Sequence, residues 1–300
     1  MIVLSRYNEL LIRLKRILVL IFLLFVMHSA FPQNTILWEV RDTATSKRSF
    51  IVGTFHQFGN SFVDSIPQLK DALLKSELAI FESIDDGAKT ISAINARMPS
   101  TGIDKNFNER DIRKLNAIGK NLKVDIYKIE PIELLFALQQ QFQTVKCKAV
   151  SPTDTWDHFD NYLIHLAKIN GIKLLGLETD SLQLSLIKEY SSPDWKEAKK
   201  SIRYWIKKLS SEKTAEGDCL FTNQYRKFQL DYELTVECPD DILITQRNEA
   251  WMKIIPDLIS ANNCFIAIGF LHLNYTCGLL EQLKTKGFLV SQVALTKTGQ

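Results

Sequence analysis

The sequence lacks the short motifs by which many hydrolases and nucleotide enzymes are recognised. It has no Gly-x-Ser-x-Gly elbow, no phosphate-binding P-loop, no His-Glu-x-x-His, no Cys-x-x-Cys and no dinucleotide fingerprint after a strand. Elbow-type serine hydrolases, P-loop enzymes, zincins and thioredoxin-like proteins are thereby excluded. No low-complexity tract is present, so the chain is not read as disordered. Excess charge is lacking too. The 37 basic residues outnumber the 34 acidic ones because Arg6, Arg13, Lys15 and Arg16 lie together near the N-terminus; without residues 1–30 the signs balance. A nucleic-acid-binding role, which needs a concentrated positive field, is excluded on that ground.

The apolar run Ile17–Met27 is shorter than the about 20 residues a comfortable bilayer span needs. It follows the basic cluster and precedes the small residues Ser29 and Ala30. That order predicts a secretory signal over residues 1–30, with an uncleaved anchor as the alternative. The expected location is periplasmic or extracellular, with any membrane association made through this segment. No cysteine follows the apolar run, which excludes a lipoprotein. Export permits disulfides among the five cysteines, and their odd number leaves one over. Cys264–Cys277 and Cys219–Cys238 are the expected pairs. Five buried apolar thiols are the alternative.

What the sequence does have is a repeated pattern. "FIVGTFH" (Phe50–His56) and "FIAIGFLH" (Phe265–His272) both run from apolar β-formers through a glycine to a histidine three residues on. Each is followed by a helical pattern and another strand: "IPQLKDALLKS" and "ELAIFES" in the first case, "TCGLLEQLKTK" and "FLVSQVAL" in the second. "TILWEV" precedes the first unit and forms a hairpin with it. The middle is mostly helical, interrupted by the strand "IKLLGLE". One of its helices carries Trp195, Ala198, Ile202, Trp205 and Leu209 at helical spacing, its lysines forming a solvated face. "TQRNEAWMKIIPDLIS" reads as a further helix kinked at Pro256. The predicted fold is α/β (α+β): pseudo-duplicated strand–GxxH–helix–strand units sharing a central sheet, with a large helical insert. It forms a single domain over 31–300, with the first unit at 31–90, the helical middle at 91–248 and the second unit at 249–300.

Strand ends carry the candidate chemistry. If the units share a sheet in parallel sense, His56, Glu82, Glu178 and His272 meet at one edge. Glycine allows the strand to bend, or a neighbour to approach, beside each histidine. Two neutral imidazoles with one or two carboxylates suit Zn, Mn, Co or Fe as divalent ions. Without a metal, a His–Glu pair can serve as a general base. Glu178 can equally cap the following helix, and Arg247 can clamp a substrate anion or pair with Glu82. His158 and His165 lie about two turns apart on one helix, too far for one ion, and read as surface or core-edge residues.

Taken together, "ILWEV", "GTFH", "IFES", "QRNEAWMKII" and "AIGFLHL", in that order, resemble the TraB/GumN family, which includes the Tiki-like metal-dependent peptidases. "FDNYLIHLAKINGIKLLGLETDSLQLSL" is similar to the family's Asp-x-Tyr-Leu, Leu-Glu-Thr and following glutamine. The resemblance runs from about Ile36 to Val293 and implies an active site built from both histidine units. His56, Glu82, His272 and Arg247 would be its residues, with Glu178 and Asn248 in support. The second motif departs from the family in "GFLHLNYTCGLL", where Asn274-Tyr275 would narrow the entrance or alter substrate choice.

The resulting expectation is an exported metal-dependent hydrolase, peptidase-like, acting on a peptide or small-molecule substrate. His56, His272 and Glu82 would hold a divalent transition metal, with Glu82 as third ligand or base. Arg247 would steady developing negative charge, and Glu178 would complete the catalytic group. The rival expectations are a non-catalytic binder of a peptide or haem-like ligand, and a metal-independent esterase using His56 as base.

Overall fold

The computed structural model describes residues 35–298, and the signal or anchor expected at residues 1–30 lies outside them. Among the described residues no helix is long and apolar enough to cross a membrane. β1 (Leu37–Arg41) and β2 (Arg48–Thr54) pair antiparallel from Leu37 opposite Val52 to Arg41 opposite Arg48, the expected hairpin. With β3 (Leu78–Phe81), β4 (Lys173–Gly176), β5 (Cys264–Gly269) and β6 (Leu289–Gln292) they form one six-stranded sheet in the order β4-β3-β5-β2-β1-β6. β4, β3, β5 and β2 run parallel, so their C-terminal ends share one edge of the sheet. In such sheets the crevice beyond the carboxyl ends is the usual place for a site.

The two units interlock. The strand that follows β2 in the chain, β3, lies beyond β5; the strand that follows β5, β6, lies beyond β2 and β1. β2 and β5 are neighbours at the centre, where both faces are covered. Their apolar runs are accordingly almost continuous, with Ile51 and Val52 beside Ile266 and Ala267, all fully buried. Phe50 pairs with Phe265, but Gly53 pairs with Ile268 and Gly269 with Thr54. The second glycine therefore lies one step further along the sheet than the first.

Short helices α1 (Asn60–Asp64) and α2 (Pro67–Leu74) link β2 to β3, α2 beginning at a proline whose missing N–H is harmless in a first turn. The middle contributes α3 (Gly87–Asn95), α4 (Gly102–Asn106), α5 (Glu109–Gly119), α6 (Pro131–Val145), α7 (Phe159–Ile169), α8 (Asp180–Tyr190), α9 (Trp195–Ser210) and α10 (Leu220–Arg226). α9 starts at an Asp194–Glu197 capping box and buries Ala198, Ile202, Ile206 and Leu209. That stripe belongs to a second apolar cluster, with α5 and α6, separate from the core around the sheet. Tyr225 ties the middle to the sheet by donating to the carbonyl of Gly53 (2.6 Å), and Tyr232 by donating to that of Thr35 (2.8 Å).

Two expectations are corrected here. The helix expected to kink at Pro256 is broken into a π-turn at Ile242–Gln246, α11 (Arg247–Trp251) and α12 (Ile255–Ala261). Pro256 sits in the first turn of α12, where its ring does not clash with a preceding turn. The disulfides are Cys147–Cys219 and Cys238–Cys277, not Cys264–Cys277 and Cys219–Cys238. Cys264 is free because it opens the central strand β5, where its side chain is wholly buried. α13 (Leu279–Thr285) then leads through Gly287, at φ +92°, into β6.

Candidate functional site

The four strand ends meet as the sequence predicts. His56 lies just past β2, Glu82 follows β3, Glu178 lies just past β4, and His272 sits in a single 3₁₀ turn after β5. Their side chains, with Arg247 from α11, gather at the edge of the sheet. A cleft of about 610 Å³ opens there, lined by His56, Glu82, Arg247, Gly269 and His272.

Each imidazole is held through Nδ1. His56 Nδ1 lies 2.6 Å from Asp160 Oδ2, and Thr54 Oγ1 donates to Asp160 Oδ1 at 2.9 Å. A carboxylate only accepts, so the proton is on Nδ1 and Nε2 faces the cleft. Asp160 is placed by the first turn of α7 and is buried. Burial works against charge on His56, but the Asp160 carboxylate outweighs it and lifts the imidazole to about 9. His158 stacks on His56 with ring centres 5.3 Å apart and, mainly through burial, is pushed down to about 4.

His272 Nδ1 lies 2.7 Å from Asn248 Oδ1. The Asn248 amide donates instead to the carbonyls of His272 (3.1 Å) and Cys277 (3.0 Å), which fixes its oxygen as the acceptor. Nε2 of His272 therefore presents a lone pair, and Arg247 Nη1 donates to it at 3.0 Å. Burial, with Arg247 and His56 nearby, outweighs the pull of Glu82 and lowers this imidazole to about 3.

Glu82 accepts from Gly269 N–H through Oε1 (2.7 Å), and from Arg247 (2.6 Å) and Gln183 (3.2 Å) through Oε2. Burial opposes its charge, yet His272, Arg247, His56 and the Gly269 N–H together hold its carboxyl near about 2. Glu178 stands behind Arg247, accepting from Nε at 3.1 Å and from Nη2, and from Gln183 at 2.8 Å. Arg247 also lies over the Trp251 ring at 4.7 Å.

Gly269 is where these groups converge. A Cβ there would lie 3.0 Å from Glu82 Oε1, 3.5 Å from His56 Nε2 and 3.6 Å from His272 Cδ2. Gly53 has a different task. A Cβ on it would meet Leu273 Cδ1 at 2.8 Å and the backbone of Phe270 at 3.3 Å, so its bareness lets the second unit pack against the first.

Imidazole nitrogens and a carboxylate are the donor types that divalent transition metals take. His56 Nε2, Glu82 Oε1 and the ring of His272 all border the space beside Gly269, and each Nδ1 is committed to an acceptor, as the outer partners of metal-binding histidines are. His272 Nε2 and Glu82 Oε1 are 3.7 Å apart. The Arg247–His272 contact and a cation on that nitrogen are mutually exclusive; Glu178 and Glu82 remain to hold the guanidinium. Among the described residues, the donor atoms that lie close enough to one another to hold an ion are those of His56, His158 and Asp160.

The sequence profile of the TraB/PrgY/gumN family matches residues 36–292. The chain belongs to this family. No curated protein and no solved structure matches it. All the TraB/PrgY/gumN residues singled out from the sequence fall inside the matched span, and His56, Glu82, Arg247, Glu178, His272 and Asn248 are all brought together. Glu178 and Asn248 do not line the cleft: Glu178 backs Arg247, and Asn248 backs His272. Asn274 and Tyr275 do not line it either, so the expected narrowing of the entrance is corrected; Tyr275 N–H bonds the Tyr232 carbonyl. His158, read as a surface or core-edge residue, is part-exposed and stacks on His56. His165 stacks on Trp156, as a core-edge residue does. Asp160 and Gln183 were unassigned by residue chemistry alone. The family's Asp-x-Tyr-Leu and its glutamine after Leu-Glu-Thr were the signals that mark them.

Proposed function

We propose that this protein is an exported metal-dependent hydrolase of peptide-type substrates. One observation carries the reading: His56 Nε2, Glu82 Oε1 and the ring of His272 border one space beside Gly269 while both Nδ1 atoms are tied back. A divalent transition metal (Zn, Mn, Co or Fe) held by these three supplies Lewis acidity and acidifies water near neutral pH. Glu82 serves as the anionic ligand: the Gly269 N–H, Arg247 and Gln183 already donate to its two oxygens, and with His272 and His56 nearby they keep it deprotonated against the pull of burial. Asp160 and Asn248 fix the two imidazole tautomers. Arg247, braced by Glu178, sets a permanent positive charge beside the carbonyl as it becomes an oxyanion. In the net reaction water adds across the amide; its oxygen goes to the acyl carbon and a proton to the leaving amine.

His56 must shed the proton that Asp160 favours before it can ligate. Metal uptake should therefore release a proton, measurable in weakly buffered solution. The deciding test compares residues 31–300 with His56→Ala and His272→Ala by elemental analysis and peptide-library hydrolysis. The wild type should carry metal and cleave; both variants should lose both while keeping their circular dichroism. Retention of metal and activity in both variants overturns the reading. Capture of peptides uncut by metal-free protein would instead support a binder, and hydrolysis that survives chelation would support His56 as a metal-independent base.

A further inference from the structure

Apart from Thr54, which holds Asp160, the residues between glycine and histidine in each motif take no part in the chemistry above, yet each unit fills one of these places with phenylalanine: Phe55 in "GTFH" and Phe270 in "GFLH". Both rings pack against Phe221, with centres 5.2 Å and 5.7 Å away. Phe221 belongs to α10, two residues past Cys219, whose disulfide to Cys147 anchors the start of that segment. The result is an aromatic wall beside the two histidines, assembled from both units and the helical middle. Leu271, Leu243 and Phe136 extend the apolar lining. Leu271 and Phe221 are 51% and 39% exposed, so apolar surface faces water at the mouth of a polar centre. Ligand sites combine such walls with a few convergent polar groups.

Charge is equally telling. The titratable side chains that line the cleft are those of the site itself, His56, Glu82, Arg247 and His272; its other polar side chains are Thr54 and the amides of Gln57, Gln140 and Gln183. A charged substrate side chain placed against this wall would lose hydration and gain no partner. We infer that the cleft takes its peptide through a bulky uncharged apolar side chain beside the bond that reacts, and disfavours a charged one there. This inference rests on the hydrolase reading for the reaction but not for the binding preference.

The test uses hexapeptides Ala-Ala-Xaa-Ala-Ala-Ala with Xaa as Phe, Ser or Asp. Hydrolysis is measured with the metal-loaded wild type, and equilibrium binding with His56→Ala. Phe should exceed Asp on the order of 100-fold in both, since an apolar pocket discriminates through burial and through unmet polar groups. Phe221→Ala should shrink that preference about 10-fold through KM, with little change in kcat, and Phe221→Leu should restore much of it. Equal handling of the three peptides, or binding of none of them, overturns the inference. Preferential binding of the Phe peptide without any hydrolysis leaves it standing and removes the hydrolase reading instead.

Discussion

His56 and His272 each lie three residues past a strand glycine, in neighbouring parallel strands, yet their imidazoles are held in opposite charge states. His56, half-buried, faces a carboxylate through Nδ1 and is lifted to about 9. His272, fully enclosed, faces an amide through Nδ1 and a guanidinium through Nε2, and is lowered to about 3. The two glycines differ as well: Gly53 makes room for backbone and Leu273, Gly269 for the functional groups themselves. A repeated motif therefore specifies a position, and the partner supplied from elsewhere in the chain specifies the chemistry.

The strongest way to break this comparison is at the glycines. Gly269→Ala should lower hydrolysis by about 100-fold or more, because small displacements of reacting groups cost that much, while thermal stability changes little. Gly53→Ala should do the reverse, costing roughly 1–3 kcal/mol in urea unfolding through overpacking against Leu273. Equal loss of activity in the two variants would end the division of labour.

Exchanging the partners sharpens it. Asp160→Asn should bring His56 down from about 9 to below its ordinary 6.5, since burial, the largest influence, and Arg247 are then opposed by Glu82 alone, and Asn248→Asp should raise His272 above about 3. Each should weaken metal affinity about 10–100-fold. Imidazole resonances followed by NMR against pH, in chelated protein, report both shifts. An unmoved His56 midpoint in Asp160→Asn would show that the carboxylate is not its cause.

A smaller effect should appear in the pH dependence of stability of the chelated protein. His56 holds its proton more tightly when folded, so its contribution is full below 6.5 and disappears as pH rises through about 9. His272 and Glu82 are held deprotonated, so theirs are present above 6.5 and 4.5 and disappear as pH falls through about 3 and about 2. Chemical unfolding across pH should lose its alkaline limb in His56→Gln and part of its acid limb in His272→Gln.

The smallest contrast concerns the disulfides. Cys147–Cys219 and Cys238–Cys277 span 72 and 39 residues, so loop-closure entropy separates their stabilising effects by only about 0.5 kcal/mol. Cys277 also supplies a carbonyl to Asn248, the partner of His272. Cys238→Ser with Cys277→Ser should therefore lower activity more than Cys147→Ser with Cys219→Ser at matched loss of stability.

Much was legible beforehand because it is encoded locally. The alternation and apolar runs fixed the hairpin, the central strands and the helix after each histidine, and strand ends pointed to His56, Glu82, Glu178 and His272. The interlocking strand order, the disulfide pairs and the placing of Asp160 were not legible from residue chemistry. They depend on contacts such as that between Thr54 and Asp160, 106 residues apart, for which periodicity carries no signal. Arg247 was recognisable as a candidate with Glu82 as a partner, but its contacts with Glu178 and His272 were not.

By itself, then, the sequence determined two strand–glycine–histidine units and the helices that must bury an apolar face between them, because backbone propensity and side-chain period act over a few residues. Tertiary structure alone decided that β2 and β5 lie side by side, that Gly269 opens the point where both imidazoles meet, and that one imidazole carries charge and the other does not. Proton affinity in a buried place depends on the nearest charges and on the water excluded, and both are set by which distant segments pack there.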